Sequence, residues 1–327
     1  MLAALAVMLA AVSGRGGTTL PPGGVFPYPR EAVAESGALK LPGTVGIASP
    51  SGVQAAVDDL APLCAVRGIK LEPQPRERAL IRLSLKTDGV PDHDQGYALR
   101  IDRNGVEISA RTDAGLFYGL QTLRSMLTAA DDGTLHYCRI ADFPRFERRG
   151  VAFSLRSADP GKLEQVKMFL RTAAALKYNC AAIEFADNFP YRDDPFPNRP
   201  RRFTETEIGE LVKFAAARFI TVVPLLRIWN DCPMLGAYPR RDALLELPYG
   251  KYMRYTYCPQ NPEVSDLIGR VVAGQSALLH SKRFIFHLDR TGLRQTARQC
   301  AKCRDAEIGK LAAKHFAVQK LNENITN

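Results

Sequence analysis

The chain has 327 residues, 46% of them hydrophobic and 24% charged, with a formal net charge of +10. That length holds two domains and a sizeable core, and the composition is that of an ordinary globular protein, for which disorder is not the default. The arginines run along the whole sequence and cluster only at Arg199, Arg201 and Arg202, so the charge reads as a solvated basic surface and not as a nucleic-acid footprint.

The first fourteen residues, MLAALAVMLAAVSG, are an apolar run closed by small residues. The run is too short to span a bilayer as a helix. It has the form of the apolar core and cleavage zone of a signal peptide, although no basic residue precedes it. Residues 1–24 are therefore predicted to be a signal peptide and linker, and the protein to be secreted or periplasmic. Seven cysteines form no dense framework. Cys180 lies in an apolar run and reads as a core thiol, while Cys300 and Cys303 have a spacing that could bridge in an exported protein. No second cysteine pair has ligand spacing, so neither a zinc site nor any other metal or cofactor is expected.

From Val25 to Tyr137 short apolar strands alternate with helical stretches. Ala79–Leu85 and Tyr97–Ile101 alternate with period two, as half-buried strands do. Asn104-Gly105 is a two-residue hairpin signal before a strand at Val106–Ala110. Thr112–Met126 then predicts an amphipathic helix, with Leu116, Leu120, Leu123 and Leu127 on one stripe.

Beyond Gly150 the pattern changes to nearly continuous apolar strands separated by helices. Gly150–Leu155, Asn179–Phe185, Ile220–Leu226 and Phe284–Leu288 are the strands. Asp159 and Pro160 predict a helix start, with Leu163, Val166, Leu170, Ala173 and Leu176 on its buried face. Thr204 with Glu207 forms a capping box that opens a helix through Phe219. Val264, Leu267, Ile268, Val271 and Leu278 carry the next helix, and the sequence closes on a helical pattern from Asp305 to Leu321. Such alternation predicts a parallel sheet. A closed (β/α)₈ barrel needs eight units and roughly 250 residues; about 180 residues run from Gly150 to the end, enough for four units. The fold class is accordingly α/β: a small α+β accessory domain at 25–140, followed at 141–327 by a partial TIM (β/α) barrel of about four units. The expectation is the N-terminal half of a barrel, in a shortened product or fragment.

Five stretches carry a resemblance. Gly96–Leu127 has the form of a small domain that precedes a barrel. Asp142–Gly150 reads DFPRFERRG, Asp187–Tyr191 reads DNFPY, Tyr257–Glu263 reads YCPQNPE, and Arg283–Arg304 reads RFIFHLDRTGLRQTARQCAKCR. Together they resemble glycoside hydrolase family 20, the β-N-acetylhexosaminidases, in a bacterial branch. The resemblance implies a glycan partner bearing terminal N-acetylhexosamine. It also implies retaining hydrolysis in which the substrate's own acetamide attacks the anomeric carbon. Arg149 matches the family arginine that bonds sugar hydroxyls, a task suited to the fixed donors of a guanidinium. Asp187 either accepts from sugar hydroxyls or caps its loop. Trp229, the single tryptophan, either stacks on a pyranose face or fills an apolar gap. His287 matches the family histidine of the fourth strand, as a reacting group or as one packed behind it.

The departures fall on the chemistry. In register with His287, the family's Asp-Glu pair lands on Thr291 and Gly292, neither of which can polarise an acetamide or protonate a leaving oxygen. Asp289 substitutes only if the register slips by two residues. Ser154 stands where the family has an acidic residue, and Ala186 stands beside Asp187 in place of another. These losses predict impaired or absent hydrolysis. The alternative is a non-catalytic glycan-binding protein or a degenerate fragment. Nothing in the pattern sets an oligomeric state.

Overall fold

The computed structural model describes residues 24–130, 132–155, 163–192, 196, 202–227, 238–244, 258 and 260–287. The chain divides into two units, one of residues up to Pro50 with Leu60–Pro144, the other of Ser51–Asp59 with the residues from Arg145 onward.

The first unit takes its shape from β1 (Glu31–Lys40), β2 (Thr44–Ala48), the part of α1 (Gln54–Val66) from Leu60 onward, β3 (Lys70–Pro73), β4 (Ile81–Leu85), β5 (Tyr97–Asp102), β6 (Gly105–Ala110), α2 (Asp113–Ala129) and β7 (Thr134–Asp142). The seven strands form one mixed sheet in the order β1-β7-β5-β6-β4-β2-β3. The β1–β7, β7–β5 and β5–β6 pairs are antiparallel and the others parallel. Period two in the sequence becomes one buried and one outer face: Tyr97, Leu99 and Ile101 are buried, and Arg100 is exposed.

Helix α2 is capped by Thr112, whose hydroxyl accepts from the Gly115 amide. Its close approach to the sheet depends on Gly115 and Gly119, one turn apart. A Cβ on Gly119 would lie 2.4 Å from Ile108 Cγ2, and one on Gly115 would lie 2.3 Å from the Gly96 carbonyl oxygen. Beneath the helix, the Tyr97 hydroxyl donates to Asp142 Oδ2 at 3.0 Å and lies 2.6 Å from Thr122 Oγ1. Burial, together with the Asp142 charge, holds the Tyr97 phenol well above its ordinary pKa.

The hairpin predicted at Asn104-Gly105 forms one residue earlier. Asp102 pairs with Gly105, so the turn residues are Arg103 and Asn104. Asn104 N donates to Asp102 Oδ1 at 2.7 Å, and Gly105 opens β6 at φ +121°, a conformation that suits glycine.

The second unit contains β8 (Gly150–Ser154), α3 (Leu163–Ala175), β9 (Cys180–Glu184), α4 (Glu205–Ala216), β10 (Thr221–Arg227), α5 (Arg241–Leu244), α6 (Pro262–Leu279) and β11 (Ile285–His287). Its strands are parallel and adjacent in chain order, β8-β9-β10-β11. The buried positions of α3 include Leu163, Val166, Leu170 and Ala173, as its stripe predicts. The Thr204–Glu207 capping box is present in full. Helix α4 stops at Ala216, three residues short of the predicted Phe219, because Phe219 turns into the left-handed region at φ +57°. Asn261 caps α6 and Pro262 occupies its first turn, where proline costs no hydrogen bond. The helix start predicted at Asp159-Pro160 and the closing helix at 305–321 lie outside the described residues.

Candidate functional site

Parallel strands send their side chains alternately to two faces. Phe153 packs against Phe169 of α3, with ring centroids 4.6 Å apart, so Val151 and Phe153 point to the helix side of β8. Ala152 and Ser154 point the other way and are exposed. The pairing of Ser154 with Glu184 carries that face onto β9. The pairing of Ala182 with Val223 carries it onto β10, where Leu225 and Arg227 share it. At the carboxyl end of this face Arg227 Nε lies 3.2 Å from Glu184 Oε1. His287 occupies the register position beside Arg227 on β11. In open and closed α/β sheets the carboxyl ends of the strands are where ligands bind.

Glu184 is 2% exposed, and among the described residues neither of its carboxylate oxygens accepts a hydrogen bond. Its contact with Arg227 is thus ionic, without an aligned donor. An isolated buried carboxylate is expensive, and the guanidinium is what makes it tolerable here.

The turn that follows β9 is held from three sides. Ala186 adopts φ +51°, a left-handed conformation that costs a non-glycine residue of the order of 1 kcal/mol. The Tyr191 hydroxyl donates to the Ala186 carbonyl at 2.9 Å and accepts from Gln275 Nε2 of α6 at 2.8 Å. Gly274 leaves room for the tyrosine ring, since a Cβ there would approach Tyr191 Cδ1 to 2.9 Å. Asn188 Nδ2 donates to the Leu155 carbonyl at 2.7 Å, tying the end of β8 to the turn. Below lie Phe185, Phe189, Tyr191 and Phe196 in successive ring contacts at 5.3, 5.2 and 5.6 Å. Asp187 sits in this turn and is fully buried.

Arg149 stands elsewhere. It immediately precedes β8, at the amino end of the strand. Its Nε donates to the Lys177 carbonyl at 2.7 Å, and its Nη1 to those of Phe146 and Glu147 at 2.7 and 3.3 Å. The structure therefore brings Asp187 and the His287 position to one end of the sheet and leaves Arg149, as a main-chain clamp, at the other. Trp229, Asp289, Thr291 and Gly292 lie outside the described residues, as do Cys300 and Cys303.

Sequence reading passed over Glu184 and Arg227. The signal was available: Glu184 is the single charge in the apolar run CAAIEF, and a lone charge in a buried strand needs a partner. Among the described residues no helix is long and apolar enough to cross a membrane, and no three His, Cys, Asp or Glu residues converge as a metal site.

Residues 23–143 match the profile of glycosyl hydrolase family 20, domain 2. That segment belongs to glycoside hydrolase family 20 as its domain 2. The β-N-acetylhexosaminidase of Cellulomonas fimi is 28% identical to this chain over 164 residues, which are 45% of this chain and 32% of that protein. Two solved structures share its fold. The family 20 β-N-acetylhexosaminidase of Streptomyces coelicolor A3(2) is 24% identical with a TM-score of 0.63, over 80% of this chain and 58% of the other. The N-acetyl-β-hexosaminidase of Streptomyces plicatus, in complex with Thio-NAglucal, is 22% identical with a TM-score of 0.62, over 76% and 56%. The chain thus spans about a third of the C. fimi protein and somewhat more than half of each solved one.

Proposed function

We propose that this chain is, over its whole length, a member of family 20 that binds terminal N-acetylhexosamine of a glycan and hydrolyses it poorly or not at all. Its four parallel strands are read as the first four of a (β/α) barrel, with the sugar lying over their carboxyl ends. The observation that carries the proposal is the succession, along one chain, of a family 20 accessory domain and a parallel sheet whose carboxyl end gathers Glu184, Asp187 and Arg227. Asp187, Trp229 and His287 are the proposed sugar contacts. Reduced hydrolysis follows from Thr291 and Gly292: without a general acid the rate falls by about 10²–10⁴, and the absent aspartate leaves the acetamide unpolarised. The apolar leader of residues 1–14 supports export, which N-terminal sequencing of the mature protein from an expressing host tests.

The deciding experiment pairs two measurements on the purified chain: calorimetric binding of N-acetylglucosamine, and release of chromophore from an aryl N-acetyl-β-glucosaminide. Saturable binding with turnover near background is the expected result. Turnover typical of the relatives contradicts the impaired reading, and no binding contradicts the glycan reading.

A further inference from the structure

We infer that Glu184, with Arg227 beside it, is a ligand-binding residue of this site, accepting hydrogen bonds from the hydroxyl groups of a bound sugar. The inference rests on the glycan reading above and goes beyond it by assigning a residue.

Three observations carry it. First, the carboxylate is 2% exposed while both its oxygens accept no hydrogen bond among the described residues. Buried carboxylates are normally saturated with donors, because each missing bond leaves a desolvation cost unrecovered. Second, the side chain lies on the face of the sheet turned away from the helices, next to the exposed Ser154 in register on β8. Donors from the helix layer cannot reach it there. Third, the turn immediately after it is fixed by Tyr191, Gln275 and Asn188, so the rim beside the carboxylate is rigid before any ligand arrives. Preformed rims of this kind lower the entropy lost on binding.

The chemistry favours hydroxyls as the missing donors. A sugar hydroxyl both donates and accepts, and here a carboxylate acceptor lies 3.2 Å from a guanidinium donor on the next strand. An anionic group in the same place would be repelled by Glu184, and a lone cation would compete with Arg227.

The test separates binding from mere support of the fold. Removing one member of a buried ion pair destabilises the protein, whereas replacing both by apolar residues of similar size is often neutral. Binding of N-acetylglucosamine is measured for the wild type, for Glu184→Gln, and for the double variant Glu184→Leu with Arg227→Met, alongside urea unfolding. The expected result is near wild-type stability in the double variant with affinity at least ~10-fold weaker, since a hydrogen bond to a charged group is worth about that much. A Glu184→Gln variant that folds should lose affinity in the same direction. Wild-type affinity in the stable double variant overturns the assignment while leaving the glycan reading intact. No binding by the wild type overturns the glycan reading and the assignment with it.

Discussion

Replacing Tyr191 by phenylalanine deletes one oxygen atom from the turn after β9. The ring contacts to Phe189 and Phe196 at 5.2 and 5.6 Å survive the change, so no cavity of consequence opens. Two buried hydrogen bonds disappear, one to the Ala186 carbonyl and one from Gln275 Nε2. Each group left without a partner costs about 1–3 kcal/mol, giving an expected loss of about 2–6 kcal/mol. That is a large share of the 5–15 kcal/mol typical of a folded domain. Ala186 holds φ +51° against its own preference, so the turn relaxes once its carbonyl is released. Urea denaturation of the full chain measures the loss. A double-mutant cycle with Gln275→Leu should show coupling of about 0.5–3 kcal/mol, because the leucine no longer carries a stranded amide hydrogen. A Tyr191→Phe protein within about 0.5 kcal/mol of wild type would refute the view that this hydroxyl holds the turn.

Substituting Gly119 by valine forces side-chain atoms into Ile108, where even a Cβ would lie at 2.4 Å; overpacking of this kind costs about 1–3 kcal/mol, read from thermal unfolding. Thr204→Ala removes the side-chain half of the α4 capping box and should cost about 1 kcal/mol in the same assay. Tyr97 gives a test of pH. Its folded pKa is raised above the ordinary value of 10.0 by burial and by Asp142, so its contribution to stability is complete below that value and is lost as pH rises beyond it. The fall in stability above about pH 10 should be shallower in Tyr97→Phe. The Cys64 and Cys138 thiols are pushed up to about 11 by burial, so alkylation at pH 8 should leave both unmodified in the native protein and label them after unfolding.

Local signals in the sequence translated directly. The Thr204–Glu207 box, the leucine stripe of α2 and the largely apolar β9 and β10 depend on residues within a few positions of one another, and the structure has them where they were expected. Features set by long-range pairing were hidden. Strand β1 lies against β7, with Glu31 opposite Ala141, and no pattern within EAVAESGALK names that partner. Asp142 reads in sequence as the start of the second domain; in the fold it ends β7 and receives the Tyr97 hydroxyl and the Arg30 amide. The partner of Glu184 was hidden because it depends on register: only the alignment of β9 with β10 shows which cation can reach the carboxylate. Arg149 illustrates the converse, since a motif names the residue type and the strand direction decides at which end of the sheet it stands.

The bond between Gln275 and Tyr191 joins residues 84 positions apart. Helix α6 is consequently a remote determinant of whatever selectivity the 186–191 segment confers. A laboratory campaign that diversifies this segment to alter ligand choice would need to keep Tyr191, Gly274 and Gln275 constant, or to vary the three as a set. Screening the loop alone would mostly recover variants that have lost their shape, and few that have acquired a new preference.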